Sequence, residues 1–387
     1  MDGLPSCALL CLTQAIPSSS CRLLDIGCVC QNAQLIAQIQ SCGLQNCTIK
    51  DNLRSTRFLY DTCDYPVTVD NKVFPVVLTT GIILSAIAVT LRIAGRLIGS
   101  KLGFDDGVAV LSLVVALAIT AIGFVYLRLG LGTDIWFLPF HDITHILHLY
   151  FVEEALYIAS IALSKISMLL LYLRLFPDER FRLASKGVLT FTTAWGLAIL
   201  FTNIFSCQPL NYFWHMWDGG HEGHCIDHAA LIWSHAIINI VLDVVIIALP
   251  MPTLLALNLS CGRKAGICVM FAGGIVVTVV SILRFVSSLS FDMTDNPTKN
   301  FVSIGVWSLL EVYLSIICAC MPGIRAFFNY TYSKLGAKIS IYDSFAGRGS
   351  AGVGIPSPAP VRSGTFQSAN REQGEFIRLQ EIESAKT

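Results

Sequence analysis

Seven long apolar stretches limit what this 387-residue chain can fold into, at 74–98, 104–127, 149–176, 186–205, 228–252, 265–289 and 301–327. Each reaches the roughly 20 residues needed to cross about 30 Å of hydrocarbon. Lipid offers no hydrogen bonds, so a spanning segment must satisfy its own backbone as a helix or pair it within a closed barrel. The stretches are continuous rather than alternating, which selects helices. With 54% hydrophobic and 13% charged residues, a soluble globular composition is excluded. Net charge is zero and no Lys/Arg run occurs, so no nucleic-acid partner is expected.

Orientation is read from the short loops. One side carries Arg96, Lys101, Arg174, Arg180, Arg182, Lys186, Arg263, Lys264, Arg325, Lys334 and Lys338, against Arg128 and Lys299 opposite. The basic side is expected in the cytosol, which places the N-terminus outside in a plasma-membrane, multi-pass chain. Trp136, Trp214, Trp217 and Trp233 fall near the outer ends, where interfacial anchoring is expected.

Eight of the fourteen cysteines precede the first span: Cys7, Cys11, Cys21, Cys28, Cys30, Cys42, Cys47 and Cys63. An even count in a segment too small for a large core predicts four disulfides and an oxidising compartment. Eight cysteines can pair in roughly a hundred ways, so the connectivity stays open. The redox requirement agrees with an outside N-terminus. The opening MDGLPSC has no charged n-region or apolar h-region. The expectations are a signal removed from this sequence, a misplaced start, or export by the first helix, which would carry Arg22, Lys50, Arg54, Arg57 and Lys72 across. Asn46-Cys47-Thr48 also matches a glycosylation acceptor.

The spacing C-x3-C-x9-C-x6-C-x-C-x11-C-x4-C-x15-C, with LPSCALLC at its start and DIGCVC at its centre, resembles the CFEM domain of fungal extracellular and membrane proteins. The resemblance implies a small helical, disulfide-stapled module over residues 1–66. In haem-binding members an Asp three residues before the central C-x-C ligates iron, and Asp25 holds that position. Read from the residue alone, Asp25 is a capping or turn residue, since haem is ordinarily held by His, Cys, Met or Tyr.

The remainder resembles the fungal rhodopsin-like integral membrane family, whose CFEM-bearing members include receptor-like proteins of plant-pathogenic fungi. The carrying motifs are GFDD at 103–106, SKISMLLLYLRLF at 164–176, CQPLNYFW at 207–214, LDVVIIALPMP at 242–252, SILRF at 281–285, WSLLE at 307–311 and CACMPGIRAF at 318–327. The seventh stretch has no Lys for a retinal Schiff base. The animal-receptor Asp-Arg-Tyr and Asn-Pro-x-x-Tyr motifs are absent, and the third span has no Cys. Cys207 and Cys225 are therefore expected to pair with each other within the second outer loop.

Charges inside a bilayer are costly and tend to be paired or functional. By helical rise, Lys165, Asp243 and Glu311 lie about 13–16 Å from their span ends, deep enough for a Lys165–Asp243 or Lys165–Glu311 pair. Glu153, Glu154 and Arg284 lie nearer the outer face, where a second pairing is open to them, and Lys165, Asp243, Arg284 and Glu311 are expected to form one intramembrane charge network. Asp105 and Asp106 at the start of the second span read as helix-capping residues. All eight histidines lie between 141 and 235. His141, His145 and His148 are spaced i, i+4, i+7, and His215, His221, His224 and His228 occupy the second outer loop. His141, His145, His148, His221 and His224 are candidates for an outer-face metal or pH-sensing cluster in which zinc and protons compete.

The expected fold is all-α: a CFEM module at 1–66, a seven-helix bundle at 67–330 and a disordered, Gly/Ser/Pro-rich cytosolic tail at 331–387. No nucleophile–base grouping, phosphate loop or zinc-protease motif occurs, and no catalysis is expected. The expected function is receptor-like sensing of an external cue, with an extracellular ligand, a lipid environment and a cytosolic signalling partner, a G protein being one form of it. The alternative is haem or iron capture through Asp25.

Overall fold

The structure is a computed structural model that describes residues 4–22, 25–67, 69, 71–99, 101–252, 261–291 and 297–346. The chain divides into two units, Met1–Tyr332 and Ser333–Thr387. The first unit holds the N-terminal cysteines and the apolar stretches.

Its N-terminal part is four short helices, α1 (Ser6–Ala15), α2 (Ile26–Gln31), α3 (Ala33–Asn46) and α4 (Ile49–Thr62). Three have side-chain N-caps. Asp25 Oδ1 accepts from Cys28 N at 3.1 Å, Asn32 Oδ1 from Leu35 N at 3.1 Å, and Thr48 Oγ1 from Asp51 N at 3.2 Å. The apolar core is small, with buried Ala15, Cys21 and Leu35 against Cys28, Val29 and Ile39. A core of that size cannot hold a fold without staples. Four disulfides supply them: Cys7–Cys47, Cys11–Cys42, Cys21–Cys28 and Cys30–Cys63.

Seven long helices come next: α5 (Val73–Gly99), α6 (Phe104–Arg128), α7 (Phe140–Leu175), α8 (Glu179–Ile204), α10 (His228–Ala248), α11 (Cys261–Phe291) and α12 (Pro297–Ala346). Each contains a segment long and apolar enough to cross a membrane, and the chain is a multi-pass membrane protein. Large apolar side chains such as Ile83, Leu84, Val114, Val244 and Val279 face outward, the surface that lipid covers. Inside, Leu78, Ile119, Ile158, Leu309 and Tyr313 belong to one packed cluster. Helices α5 and α12 approach closely. A Cβ on Gly81 would overlap the Tyr313 ring, and one on Gly95 would lie 2.9 Å from the Gly323 carbonyl. Small residues permit such contact where no hydrophobic force drives helices together.

Between α8 and α10, β1 (Cys207–Gln208) pairs antiparallel with β2 (His224–Cys225), and Cys207 is bonded to Cys225 across the pair. The short α9 (Tyr212–His215) lies in the loop between the two strands.

Two features differ from expectation. Helix α7 begins nine residues before the span expected at 149, so the first histidines stand on it. Helix α12 continues past the boundary expected at 330, to Ala346; the rest of the expected tail, 347–387, lies outside the described residues. The side chains of Arg263, Lys264, Lys334 and Lys338 are also outside them.

Candidate functional site

Four helices meet at a buried polar network in the middle of the bundle. Lys165 on α7 is ion-paired with Asp243 on α10, and its ammonium also reaches the Asn239 carbonyl at 3.4 Å. Glu311 on α12 faces Arg284 Nε of α11 at 2.8 Å. The Glu311 carboxylate accepts from Tyr157 Oη at 2.7 Å and Asn239 Nδ2 at 2.6 Å. The Ser281 hydroxyl stands between the two acids, 2.7 Å from Glu311 and 3.0 Å from Asp243. It has one proton for both, so the acids share a donor. Of the two pairings expected for Lys165, the structure selects Asp243. Arg284 stands in the central network with Lys165, Asp243 and Glu311, the grouping expected from sequence, and pairs with Glu311 rather than with Glu153 or Glu154.

On the module side of this network the helices enclose a cavity of about 520 Å³, within the range of small-molecule sites. Its lining includes Phe74, Ile146, Tyr150, Ile199, Phe213, Trp233 and Phe301, with Glu153, Glu154, Tyr157, His228, His235 and Arg284 as polar members. Tyr157 and Arg284 therefore belong to both cavity and network. His228 Nε2 lies 2.8 Å from Glu154 Oε2. The Cys207–Cys225 hairpin and the loop residues Ile135, Met216 and Trp217 also line it.

Helix α4 of the N-terminal module rests on those same loops. Tyr60 packs on Trp136 with centroids 4.8 Å apart, Arg54 lies over the Phe140 ring at 5.3 Å, and Lys50 Nζ bonds Asp218 at 3.0 Å. Trp217 Nε1 donates to Thr144 Oγ1 at 3.0 Å, and Trp214 packs on His148. Trp136 and Trp217 thus pack against Tyr60 and Lys50 of α4, while Trp214 packs on His148 and Phe151 of α7. Asp218 also accepts from Gly220 N at 2.9 Å and faces His221 Nδ1 at 3.1 Å. The Gly220 backbone bond, with His221 and Lys50, holds its carboxyl well below the usual range against the opposing effect of burial.

At the opposite end, Arg92 is fully buried. It donates to Asp105 at 2.7 Å, to Asp106 at 3.0 Å and to the Ala319 carbonyl at 2.8 Å, and Arg174 reaches Asp105 at 3.3 Å. Asp106 also accepts from Gly103 N at 3.0 Å, the cap expected of it. Arg92 is not among the residues singled out by sequence, although an Arg inside an apolar stretch is a signal that a buried acid must answer it.

The histidines do not form the expected clusters. His141 and His145 meet, Nε2 to Nε2 at 2.9 Å, so the contact needs one protonated and one bare nitrogen. His148 turns instead to Trp214, with centroids 4.4 Å apart. The grouping that could hold a metal among the described residues is His215, Asp218 and His221. His224 is drawn away into β2 opposite Gln208. Sequence reasoning misses Asp218, whose signal is the Asp-x-x-His spacing to His221. Asp25 is an exposed helix cap whose second carboxylate oxygen has no hydrogen bond among the described residues. The described part of the module contains no His or Met, and its cysteines are all disulfide-bonded. Of the ordinary haem ligands the described module has only Tyr60, packed on Trp136, and Tyr65, whose hydroxyl donates to the Cys30 carbonyl at 2.7 Å, and beside them Asp25 could offer an iron one oxygen.

A family model described as the fungal rhodopsin domain matches residues 91–330, and one described as the CFEM domain matches residues 1–64. The SAT4 family membrane protein of Emericella nidulans is 31% identical over 191 residues, 49% of this chain and 47% of that protein. The Satratoxin biosynthesis SC1 cluster protein 4 of Stachybotrys chartarum is 29% identical over 189 residues, 48% of this chain and 66% of that protein. Receptor GIN3 of Arthrobotrys oligospora is 27% identical over 207 residues, 53% of this chain and 50% of that protein. The chain thus spans about half of the first and third relatives' lengths and somewhat more of the second. No solved structure is significantly similar. Since the rhodopsin-type match alone covers more than half of its residues, the chain belongs to the fungal rhodopsin domain family and carries a CFEM domain at its N-terminus.

Proposed function

We propose that this is a receptor-like plasma-membrane protein that senses an external cue. The module and cavity face outside, and the cluster around Arg92 and Arg174 lies on the cytosolic side with the partner-binding surface. The observation that carries the reading is that Tyr157 and Arg284 line the cavity and at the same time hold Glu311 in the four-helix network. A molecule entering the cavity touches groups whose partners set how α7, α10, α11 and α12 pack. Any differential contact with two packings biases one of them. The resemblance to a protein named as a receptor supports this role. G-protein coupling is a finer form of the same proposal, and no catalysis is part of it.

The test uses Cys268, an exposed free thiol on α11. A polarity-sensitive fluorophore is attached there in a Cys261→Ser chain reconstituted in lipid nanodiscs, and a library of apolar small molecules is titrated. A saturable signal that disappears when Ser308→Phe fills the cavity is expected. If no library member gives such a signal, the cavity does not receive a cue. Protease added to intact cells checks the orientation: it should remove an epitope at residue 2 and spare one at residue 387.

A second proposal is haem or iron capture by the module, favoured by an exposed Asp25 that uses one carboxylate oxygen as a cap and has no hydrogen bond at the other among the described residues. It predicts a ferric haem absorbance band on titrating the full chain, lost in Asp25→Ala. A wild-type chain without that band removes this reading.

A further inference from the structure

We infer that His215, Asp218 and His221 form a zinc site on the second outer loop, and that zinc there competes with Lys50 of the N-terminal module for one carboxylate. The site is independent of what enters the cavity.

The loop is folded so that these side chains meet. The Cys207–Cys225 bond and the β1–β2 pair close its base. His215 ends α9, a short helical turn follows at Met216–Asp218, and Gly219 takes a φ of 65°, a left-handed value that glycine adopts without strain. The reversal lays the His221 ring on the His215 ring, with centroids 4.5 Å apart. Trp217, between the first two ligands, is tied to Thr144 of α7 at 3.0 Å.

One ligand atom from each of the three residues lies within 4.8 Å of the other two. Ligands about 2.0–2.1 Å from a tetrahedral zinc stand roughly 3.4 Å apart. His221 Nδ1 and Asp218 Oδ1 are already 3.1 Å apart, so closing the site is a side-chain adjustment of His215. Two imidazoles and a carboxylate suit zinc, whereas calcium and magnesium take oxygen ligands. Three protein ligands leave the fourth position to water. The Asp218 side chain is only 11% exposed, and Gly220 N fixes its Oδ1 at 2.9 Å.

That carboxylate is shared. Lys50 Nζ of α4 donates to Asp218 Oδ2 at 3.0 Å and stands 5.6 Å from the centre of the Trp217 ring. A dication at Oδ1 sets two cations across a single negative charge, and they repel. The Lys50 side chain is 40% exposed, so it can leave for water. Zinc therefore weakens a bridge that seats α4, and by linkage the bridge weakens zinc. Met216 and Trp217 line the cavity, which puts this competition on the cavity's roof.

The experiment titrates zinc into the full chain, purified without a histidine tag and held in lipid nanodiscs, against a chromophoric chelator with magnesium in excess. Stoichiometric binding is expected. His215→Gln and His221→Gln should each weaken it at least about tenfold, the lower end for losing even an outer-shell partner, while His141→Gln and His148→Gln leave it unchanged. Cobalt in place of zinc should give the visible absorption of a tetrahedral site, lost in the same two variants. Unchanged protection of α4 without metal shows that each variant is folded. Lys50→Met keeps an apolar stem beside Trp217 and should tighten zinc about fivefold or more. Zinc should also speed hydrogen exchange in α4 of the wild type and not of His221→Gln. Absent stoichiometric binding, or wild-type affinity in His215→Gln and His221→Gln, overturns the site. Wild-type affinity in Lys50→Met overturns the competition.

Discussion

Replacing Glu311 with Gln changes neither shape nor volume appreciably, yet it should be among the most damaging single substitutions in the bundle. Glu311 is 1% exposed; Tyr157 and Arg284 stand at one of its oxygens, Asn239 and Ser281 at the other. A Gln amide must present its NH2 to one of these pairs, setting donor against donor whichever way it is turned. Arg284 also becomes a buried cation without its acid. Breaking a buried pair by removing one partner costs about 3–5 kcal/mol. At roughly 2–4 °C per kcal/mol, that lowers the apparent melting temperature by about 6–20 °C. The assay can use the chain's own thiols: Cys318 and Cys320 are buried and reduced, so a thiol-reactive fluorophore reports their exposure on heating. Arg284→Met removes the opposite partner and should cost a similar amount. The Glu311→Gln/Arg284→Met double variant should lose much less than the sum, because neutral groups replace the pair. A Glu311→Gln protein that melts within about 1 °C of wild type, or a double variant that is simply additive, would refute the network as the element joining these helices.

Four further outcomes are tied to particular contacts. The Lys50–Asp218 bridge should hold through mild acidification: a carboxyl depressed below its ordinary value of about 3.9 contributes above that value and loses its contribution as pH falls through the lowered one. Hydrogen-exchange protection in α4, taken relative to the intrinsic rate at each pH, should therefore match at pH 7 and pH 5 and fall only well below pH 4, whereas a fall near pH 6 would assign the docking to histidines instead. Asp25→Ala removes the α2 cap and should cost about 1 kcal/mol, read as a lower denaturation midpoint with all four module disulfides retained. Arg92→Met leaves Asp105 and Asp106 buried with only Arg96 and Arg174 nearby, and should destabilise by about 3 kcal/mol in the same thiol assay. Zinc, if it acts at the head of α7, should lose its effect in His141→Gln and be unaffected by His148→Gln; equal loss in both would restore the three-histidine cluster.

By itself the sequence determined everything that composition and spacing dictate. Seven continuous apolar runs leave only helices in a solvent that cannot hydrogen-bond the backbone. Eight cysteines ahead of them demand staples, and Cys207 had Cys225 as its partner within one loop. Even the acids and cations of the network were legible, because a charge within a span must be answered somewhere. Which charge answers which was not legible. Lys165 could reach Asp243 or Glu311 by depth, and only the rotation of α7 against α10 and α11 against α12 decides between them. Arg92 escapes a reading by sequence because its partners Asp105 and Asp106 are already explained as caps, and they serve as both. The histidine spacing reads as one face of a helix, but packing of the second loop takes His148 to Trp214 and brings His215 and Asp218 to His221. The cavity has no signature at all, since its lining is drawn from residues between 74 and 308 that share nothing in sequence. The seating of the module on its roof likewise depends on complementary surfaces. Local chemistry sets which segments become helices and which groups need partners; the crossing and rotation of those helices, a property of the whole packed bundle, sets which partners they find.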